Sequence, residues 1–312
     1  MQRIALLFPG QGSQKVGMAR DLYESSADVR EVYERASEAI DTDLAALTFD
    51  GPEDELRKTV NAQPALLVAS VSAFRLLVKG SLEPWAAAGH SLGEYTALVA
   101  ARSLTLEDAV RAVRERGRLM YEAGEKRPGT MAAVIGMETD ALESVLKQAR
   151  SKGVVQIANL NSPTQIVISG EVDAVKKAIE IAAERGARRV VPLNVSGAFH
   201  SELLEEARDG MEDMLGGVTI EKPQCVFVAN VTGGALSDPD VIRANLVKQM
   251  VQPVQWVDCV RALANRGATL MVEVGPGNVL RGLARKIAPD VKTMGAGTLA
   301  DIEKFLAAVE VG

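Results

Sequence analysis

An α/β fold is predicted for this chain from two observations. Short apolar runs alternate with amphipathic stretches along the 312 residues, and this alternation is typical of strands that pack against helices. The pentapeptide Gly89-His90-Ser91-Leu92-Gly93 follows the apolar run 84–88 and precedes an apolar, helix-compatible stretch. A serine on such a strand-to-helix turn exposes its hydroxyl at the top of a sheet, as in a nucleophile elbow.

The elements before residue 128 are predicted in order from these runs. A first buried strand, Arg3 to Phe8, ends in the loop Pro9 to Gln14, which is rich in glycine and glutamine. Ligands of open α/β sheets bind in such loops. The stretch 65–78 is apolar on nearly all sides, so we expect a core helix with Pro64 in its first turn. Further helices are expected at 15–25, 28–40, 53–59, 93–101 and 105–123.

Residues 128–195 differ in character and are expected to form a small inserted subdomain. Their periodicity predicts the order β-α-β-β-α-β, which is that of the ferredoxin-like split βαβ unit. The large domain then comprises residues 1–127 and 196–312. The strands of the insertion are expected at 130–136, 154–160, 165–169 and 189–193, and its helices at 138–150 and 171–185. In the second part of the large domain we expect helices at 201–215, 238–249, 255–266 and 277–287, and strands at 226–229 and 269–274.

Composition excludes several classes of function. The chain carries 35 Lys and Arg against 41 Asp and Glu, for a net charge of −6, which argues against general nucleic-acid binding and against an anionic membrane surface. Cys225 and Cys259 lie in apolar surroundings and outside any zinc-ligand spacing, so both are expected to be buried thiols, with no metal site. The apolar run near the N-terminus is too short for a signal peptide, and no uninterrupted apolar run approaches a membrane span. We therefore expect a cytoplasmic protein without a membrane partner.

The chain has only two histidines, which restricts the choice of a base for Ser91. A serine is a weak nucleophile until a base removes its proton. His90 adjoins Ser91, and neighbours at such a turn point in different directions, so we interpret it as structural. His200 lies in a loop between a predicted strand and a predicted helix, and it is the predicted general base.

Six motifs occur in an order that resembles one family. They are Phe8 to Gln14, Gly89 to Tyr95, Arg116-Gly117, Asn159 to Pro163, Gly197 to His200 and Pro253 to Trp256. Together they resemble the malonyl-CoA:acyl carrier protein transacylases of bacterial fatty acid synthesis, over nearly the whole chain. The resemblance implies a hydrolase-like α/β domain with a ferredoxin-like insertion. It also implies ping-pong transfer of malonyl from malonyl-CoA to the phosphopantetheine thiol of acyl carrier protein, with no bound cofactor.

The resemblance implies roles for residues that would act on the reacting ester. Ser91 would take the malonyl group, and His200 would act as general base and then as general acid. A backbone carbonyl, at the position that matches Gln255, would orient the histidine. The backbone N–H groups of Gln11 and Leu92 would form the oxyanion hole.

Arg116, Phe199 and Asn161 are implied as the residues that bind the acyl group. Arg116 would hold the free malonyl carboxylate, although by sequence alone it belongs to a basic helix face. A guanidinium binds a carboxylate through two parallel hydrogen bonds, and a neutral acetyl group would leave the buried charge unpaired at a cost of about 2–5 kcal/mol. Phe199 precedes the histidine where related acyltransferase domains that select malonyl also carry Phe. Asn161 matches a polar residue near the site.

Three other functions share some of these features. A serine hydrolase or thioesterase of acyl-CoA would have the elbow and the histidine, but such enzymes have an acid between them in chain order. A non-catalytic module that binds carrier protein would be expected to have lost Ser91, His200 or Arg116. A domain cut from a polyketide synthase would share the site, although the start at Met1 and the end soon after the last helix favour a free-standing enzyme, expected to be monomeric. A stand-alone polyketide-type acyltransferase would share the site as well.

An acidic carrier protein requires a local basic surface on this acidic chain. Two groups of basic residues are candidates for that surface. The first lies on the insertion and the second near the end of the chain: Lys176, Lys177, Arg185, Arg188 and Arg189, and Arg281, Arg285 and Lys286.

Overall fold

A computed structural model of the chain describes residues 2–195 and 197–310. Met1 and residues 196, 311 and 312, at the limits of the two predicted parts of the large domain, lie outside the described residues. The strands are β1 (Ile4–Phe8), β2 (Ala86–Gly89), β3 (Gly129–Ile135), β4 (Val155–Ser162), β5 (Gln165–Glu171), β6 (Arg189–Pro192), β7 (Val226–Val228), β8 (Ala235–Leu236), β9 (Leu270–Val274) and β10 (Lys292–Ala296).

Helices connect most of these strands. The α-helices are α1 (Arg20–Ser25), α2 (Ala27–Ala39), α3 (Leu44–Asp50), α4 (Glu53–Arg57), α5 (Thr59–Lys79), α6 (Gly93–Ala100), α7 (Leu106–Lys126), α8 (Thr139–Ala149), α9 (Val172–Glu184), α10 (Glu205–Gly216), α11 (Pro239–Lys248), α12 (Trp256–Asn265), α13 (Val279–Ile287) and α14 (Leu299–Glu310). The segments Arg150–Lys152 and Glu202–Leu204 are 3-10 helices. The predicted α/β class is therefore confirmed.

The larger sheet has six strands in the order β10-β9-β1-β2-β7-β8. The first five are parallel to one another, and β8 pairs antiparallel with β7 at one edge. Residues of β1 alternate between two cores: Leu6 and Phe8 pack in one, and Ala5 and Leu7 pack in the other beside Trp256. Because both faces are covered, the strand is apolar throughout, as in other parallel sheets.

The smaller sheet has four antiparallel strands in the order β4-β5-β3-β6. Residues of β3 also alternate between two cores. Ala132 and Val134 pack with α8 and α9, whereas Met131 and Ala133 belong to the main core. The small sheet therefore lies between its own helices and the larger part of the molecule, and a cleft forms along that contact.

By length and composition alone, helix α5 could cross a membrane. However, 78% of its most apolar 18-residue stretch is buried inside the protein. It begins at Thr59 rather than at the predicted residue 65, so Pro64 lies inside the helix and not in its first turn. A proline has no N–H for the carbonyl four residues earlier. Here Arg114 donates to that Val60 carbonyl at 2.9 Å, which satisfies the freed acceptor.

The predicted elements differ from the structure at one helix start and at four short or peripheral elements. Helix α1 begins at Arg20 instead of residue 15, because Ala19 adopts a left-handed conformation with φ of 58°. The helices α3 and α14 and the strands β8 and β10 were not predicted. The strand β10 contains Lys292 and Gly295 and is only partly buried, so it lacks the apolar run that identifies central strands.

Candidate active site

Ser91 lies on a tight turn between β2 and α6. Its φ of 51° is in the left-handed region, which a residue other than glycine adopts only under constraint from its surroundings. A Cβ on Gly89 would lie 1.8 Å from the Gly93 carbonyl oxygen, and one on Gly93 would lie 2.1 Å from the Phe8 carbonyl oxygen. Both glycines are therefore required for the turn to pack against itself and against β1.

His200 contacts Ser91 directly. The distance between Ser91 Oγ and His200 Nε2 is 2.8 Å, and His200 Nδ1 lies 2.7 Å from the main-chain oxygen of Gln249. Burial, together with the positive charge of Arg116, lowers the pKa of His200 to about 3. The imidazole is therefore neutral near pH 7, with Nδ1–H donating to the carbonyl and Nε2 accepting from the serine hydroxyl.

The prediction that the Gln255 carbonyl orients the histidine is wrong. Gln255 lies at the start of α12, where its N–H donates to the Asn230 carbonyl and its own carbonyl accepts from the Cys259 N–H. Gln249 instead follows α11 and presents its carbonyl to the imidazole. The physical reason is that α11 ends beside the elbow, whereas residue 255 is the N-cap of the next helix and its carbonyl is used there.

Arg116 projects from α7 into the site and is 1% exposed. Its Nη1 donates to Gln63 Oε1 at 2.8 Å, and its Nη2 donates to Ser91 Oγ at 3.0 Å and to Gln249 Oε1 at 2.9 Å. All three acceptors are neutral. Its Nε is buried and has no hydrogen-bond partner among the described residues, so the guanidinium has donor capacity left for an anion.

A close helix contact brings Arg116 to this position. A Cβ on the next residue, Gly117, would lie 2.7 Å from the Thr59 carbonyl oxygen and from the Val60 Cα. Only glycine therefore allows α7 to pack this tightly against the start of α5. In the sequence, only the family motif distinguishes Arg116 from the other basic residues of its run, and in the structure its side chain is buried.

The cleft above Ser91 has a volume of about 520 Å³, and its lining includes Gln11, Leu92 and Phe199. No acceptor among the described residues receives the main-chain N–H of Gln11 or of Leu92. The side chain of Gln11 accepts a hydrogen bond from the Thr59 hydroxyl at 2.8 Å, which fixes the loop after β1. Phe199 is buried beside His200.

His90 and Asn161 contact each other at the edge of the cleft. His90 Nε2 lies 2.8 Å from Asn161 Oδ1, and its ring meets Trp256 edge-on at 5.4 Å between centroids. Burial lowers the pKa of His90, so the ring donates to the amide as a neutral group. Asn161 thus reaches the site through His90, whereas Asn159 lines the cleft.

Four residues of the site were missed at the level of sequence: Gln63, Glu94, Asn230 and Gln249. Each is 0% or 1% exposed. A signal existed for two of them, because Gln63 and Glu94 are isolated polar residues beside apolar helical stretches. No signal existed for Gln249, since the segment 249–255 offers three glutamines at similar positions in the sequence.

Within the described residues, no three His, Cys, Asp or Glu side chains are placed to hold a metal ion together. A mainly parallel α/β sheet that carries a Ser–His pair beside a buried arginine is typical of acyl-transferring enzymes.

The comparisons with known proteins identify the family. The acyl transferase domain family matches residues 5–298. The chain is 41% identical over 304 residues to the malonyl CoA-acyl carrier protein transacylase of Bacillus subtilis (strain 168), covering 97% of this chain and 96% of that protein. A crystal structure of the malonyl-CoA:acyl carrier protein transacylase of Xanthomonas oryzae pv. oryzae is 42% identical, with a TM-score of 0.96 and coverage of 99% of this chain and 98% of that one.

A further solved structure contains a type II PKS acyl-carrier protein in complex with its malonyl-transacylase. It is 37% identical to this chain, with a TM-score of 0.95 and coverage of 98% of this chain and 100% of that one. By these likenesses the chain belongs to the malonyl-CoA:acyl carrier protein transacylase family of acyl transferases.

Proposed function

We propose that this protein transfers the malonyl group of malonyl-CoA to the phosphopantetheine thiol of acyl carrier protein through a malonyl-Ser91 intermediate. The observation that carries the proposal is the buried guanidinium of Arg116, which lies 3.0 Å from Ser91 Oγ and whose Nε–H has no acceptor in the described part of the chain. A cation at this distance from the nucleophile suits an acyl group that ends in a carboxylate.

The first half-reaction forms the acyl-enzyme. Ser91 Oγ attacks the thioester carbonyl carbon while its proton passes to His200 Nε2, to which it already hydrogen-bonds at 2.8 Å. The carbon–sulfur bond of malonyl-CoA then breaks, and the imidazolium returns the proton to the departing thiolate. In the second half-reaction the pantetheine thiol gives its proton to His200 and attacks the ester, and Ser91 Oγ leaves with that proton.

The main-chain groups around Ser91 support this chemistry. The N–H groups of Gln11 and Leu92 lie at the cleft and are not used by other acceptors among the described residues, so they are the donors for the tetrahedral oxyanion. The Gln249 carbonyl holds the Nδ1–H tautomer of His200. This leaves Nε2 free of a proton and facing the serine.

Arg116 makes the site selective for malonyl, which ends in a carboxylate, over acetyl. On binding, the malonyl carboxylate takes up the guanidinium donors, including Nε–H, in a paired geometry. An acetyl group brings no anion, so the buried cation keeps only neutral acceptors. Phe199 contributes an apolar wall to the same cleft, and the methylene between the two malonyl carbonyls can pack there.

A serine hydrolase is the competing function, and two features of the site disfavour it. His200 is oriented by a neutral carbonyl rather than by the carboxylate that hydrolases of this type place after the serine. An arginine in the acyl pocket also has no purpose for a neutral ester.

The test is the intact mass of the protein after incubation with malonyl-CoA in the absence of carrier protein. We expect a gain of one malonyl group in the wild type and in the exposed-serine control Ser151→Ala, and no gain in Ser91→Ala or with acetyl-CoA. Free malonate without an adduct would indicate a hydrolase, and no adduct with no turnover would indicate a binding module.

The carrier protein is proposed to dock on one of two basic surfaces. Arg185, Arg188 and Arg189 are exposed and form no ion pair among the described residues, so they are available to acidic side chains. The second surface comprises Arg281, Arg285 and Lys286, all on α13. Charge reversal at each surface should raise the KM for carrier protein without affecting acylation by malonyl-CoA. No change in KM after charge reversal at either surface would place the docking site elsewhere.

A carrier protein from a polyketide system, as in the complex described above, is the alternative acceptor and can be compared in the same assay.

We also propose two assignments within the fold, a ferredoxin-like subdomain and a nucleophile elbow. The strand order β4-β5-β3-β6, with α8 and α9 on one face, supports a ferredoxin-like subdomain at 128–195. The positive φ of Ser91 between β2 and α6 supports a nucleophile elbow in a hydrolase-like domain. We also propose that the protein works as a monomer in the cytoplasm, without a bound cofactor.

A further inference from the structure

Glu94 is a buried carboxylate that the proposed reaction does not use. It is the second residue of α6, three positions after Ser91, and is 1% exposed. Its Oε2 accepts a hydrogen bond from Gln249 Nε2, and its Oε1 accepts one from the main-chain N–H of Asn230 at 3.2 Å. Burial of a carboxylate is costly, so its retention here requires an explanation.

The amide of Gln249 connects Glu94 to the reacting groups. Its Oε1 accepts from Arg116 Nη2 at 2.9 Å, and its Nε2 also donates to the Ser91 main-chain oxygen at 3.0 Å. The main-chain oxygen of the same residue orients His200. One residue therefore contacts the arginine, the serine and the histidine.

The orientation of this amide follows from the chemistry of its partners. An ionised carboxylate only accepts hydrogen bonds, so the NH₂ group of Gln249 must face Glu94. Its oxygen is then left for Arg116, which only donates. With the opposite orientation, NH₂ would face the guanidinium, and Arg116 Nη2 would lose an acceptor.

We infer that Glu94 is a positioning residue, which fixes the Gln249 amide and thereby holds Arg116 and His200 in the geometry for malonyl transfer. The inference rests on the proposed function, because it concerns how Arg116 is presented to the acyl carboxylate. Glu94 touches neither the substrate cleft nor the reacting atoms, so it acts only through its neighbours.

The charges around Glu94 agree with this assignment. The titratable groups that face it are Arg116 from α7, Cys259 from α12 and the adjacent Tyr95. Burial raises the pKa of Glu94 to about 7, against the opposing effects of its hydrogen bonds and of Arg116. Glu94 therefore changes its charge within the pH range of an activity assay. His200, with its pKa of about 3, stays neutral over that range.

The experiment compares Glu94→Gln with Glu273→Gln. Glu273 is also 1% exposed, but it accepts main-chain N–H groups at the start of α13, so its variant controls for the loss of a buried charge. The acylation rate is measured with malonyl-CoA and with acetyl-CoA from pH 5.5 to 8.5, and folding is followed by circular dichroism.

We expect Glu94→Gln to lower kcat/KM for malonyl-CoA by about tenfold or more, since a neutral amide satisfies only one of the two donors. The value for acetyl-CoA should fall less, so the malonyl-to-acetyl ratio narrows. An inflection near pH 7 should be present in the wild type and absent in the variant. Glu273→Gln should change neither the ratio nor the inflection.

An unchanged ratio and pH profile in folded Glu94→Gln would overturn the inference, and so would an equal loss for both substrates. Glu94→Asp keeps an acceptor-only carboxylate and serves if Glu94→Gln does not fold: a ratio near that of the wild type supports the inference, and an equal loss for both substrates overturns it. Failure of the wild type to form a malonyl-enzyme would instead contradict the proposed function.

Discussion

Two strand-to-helix connections of the large sheet each bury one glutamate, and they use it differently. Glu273, near the end of β9, accepts the N–H groups of Leu280 and Arg281 at 3.0 and 2.9 Å in the first turn of α13. Glu94, after β2, accepts from the side chain of Gln249 and from the N–H of Asn230. Both carboxylates are equally buried, but only one touches a residue of the candidate active site.

The difference shows that the donors, more than burial itself, determine what a buried carboxylate does. Main-chain donors at a helix start are fixed by the helix, so Glu273 stabilises that start and its effect stays local. Side-chain donors can turn, so Glu94 selects one orientation of an amide that also holds Arg116. The first arrangement serves folding, and the second serves the geometry of the site.

The largest loss is expected from His200→Ala, which removes the proposed general base near Glu94. Transfer of malonyl to carrier protein should fall by about 10²–10⁴-fold, the usual contribution of general acid–base catalysis. Glu273→Gln, at the other connection, should retain nearly full activity. Steady-state assays of malonyl transfer in both variants test this expectation. A similar loss of activity in both variants would show that the two regions do not differ in their effect on the reaction.

Arg116→Ala should mainly affect selectivity. Loss of the guanidinium is expected to lower kcat/KM for malonyl-CoA by a factor of tens to thousands, because the substrate carboxylate loses a buried partner worth about 2–5 kcal/mol. The rate with acetyl-CoA should fall far less. Arg111→Ala, an exposed arginine of the same helix, is the matched control. Equal losses for both substrates would show that Arg116 supports the serine rather than the carboxylate.

The stability of the wild type relative to Glu94→Gln should depend on pH. The pKa of Glu94 is about 7 in the folded protein against an ordinary value of 4.5. Between these values the folded state therefore binds more protons than the unfolded state. The stability that this group contributes therefore falls as pH rises from 4.5 to 7, by up to a few kcal/mol. Urea unfolding of both proteins at pH 5 and pH 7 measures the difference in their free energies of unfolding. A stability of the wild type, relative to the variant, that increases from pH 5 to pH 7 would contradict the prediction.

The smallest effect is expected from Glu273→Gln, and it should be on stability alone. A neutral amide can accept only with its oxygen, so one N–H group at the start of α13 loses its acceptor. The free energy of unfolding should fall by about 1–3 kcal/mol, with the malonyl-to-acetyl ratio unchanged. Thermal unfolding and the two acylation assays check both parts, and a changed ratio would extend the influence of this connection to the site.

Much of the fold was predictable because central strands and core helices carry their own patterns. The apolar run at β1 and the amphipathic helices of the small sheet follow from periodicity alone. The edge strands β8 and β10 could not be predicted from periodicity, because a strand that is paired on one side only needs no continuous apolar run. The start of α5 also escaped prediction, since Pro64 lies inside the helix, where Arg114 donates to the Val60 carbonyl that the proline leaves without a donor.

The sequence by itself determined which chemical groups this protein possesses: one serine on a glycine-flanked turn, two histidines and an arginine within a recognisable motif. The tertiary structure alone decided which of them meet. It selected Gln249 rather than Gln255 as the partner of His200, and it placed Glu94 behind that glutamine. These contacts join residues more than 40 positions apart, and hydrogen bonds over such distances depend on how helices pack rather than on any local pattern.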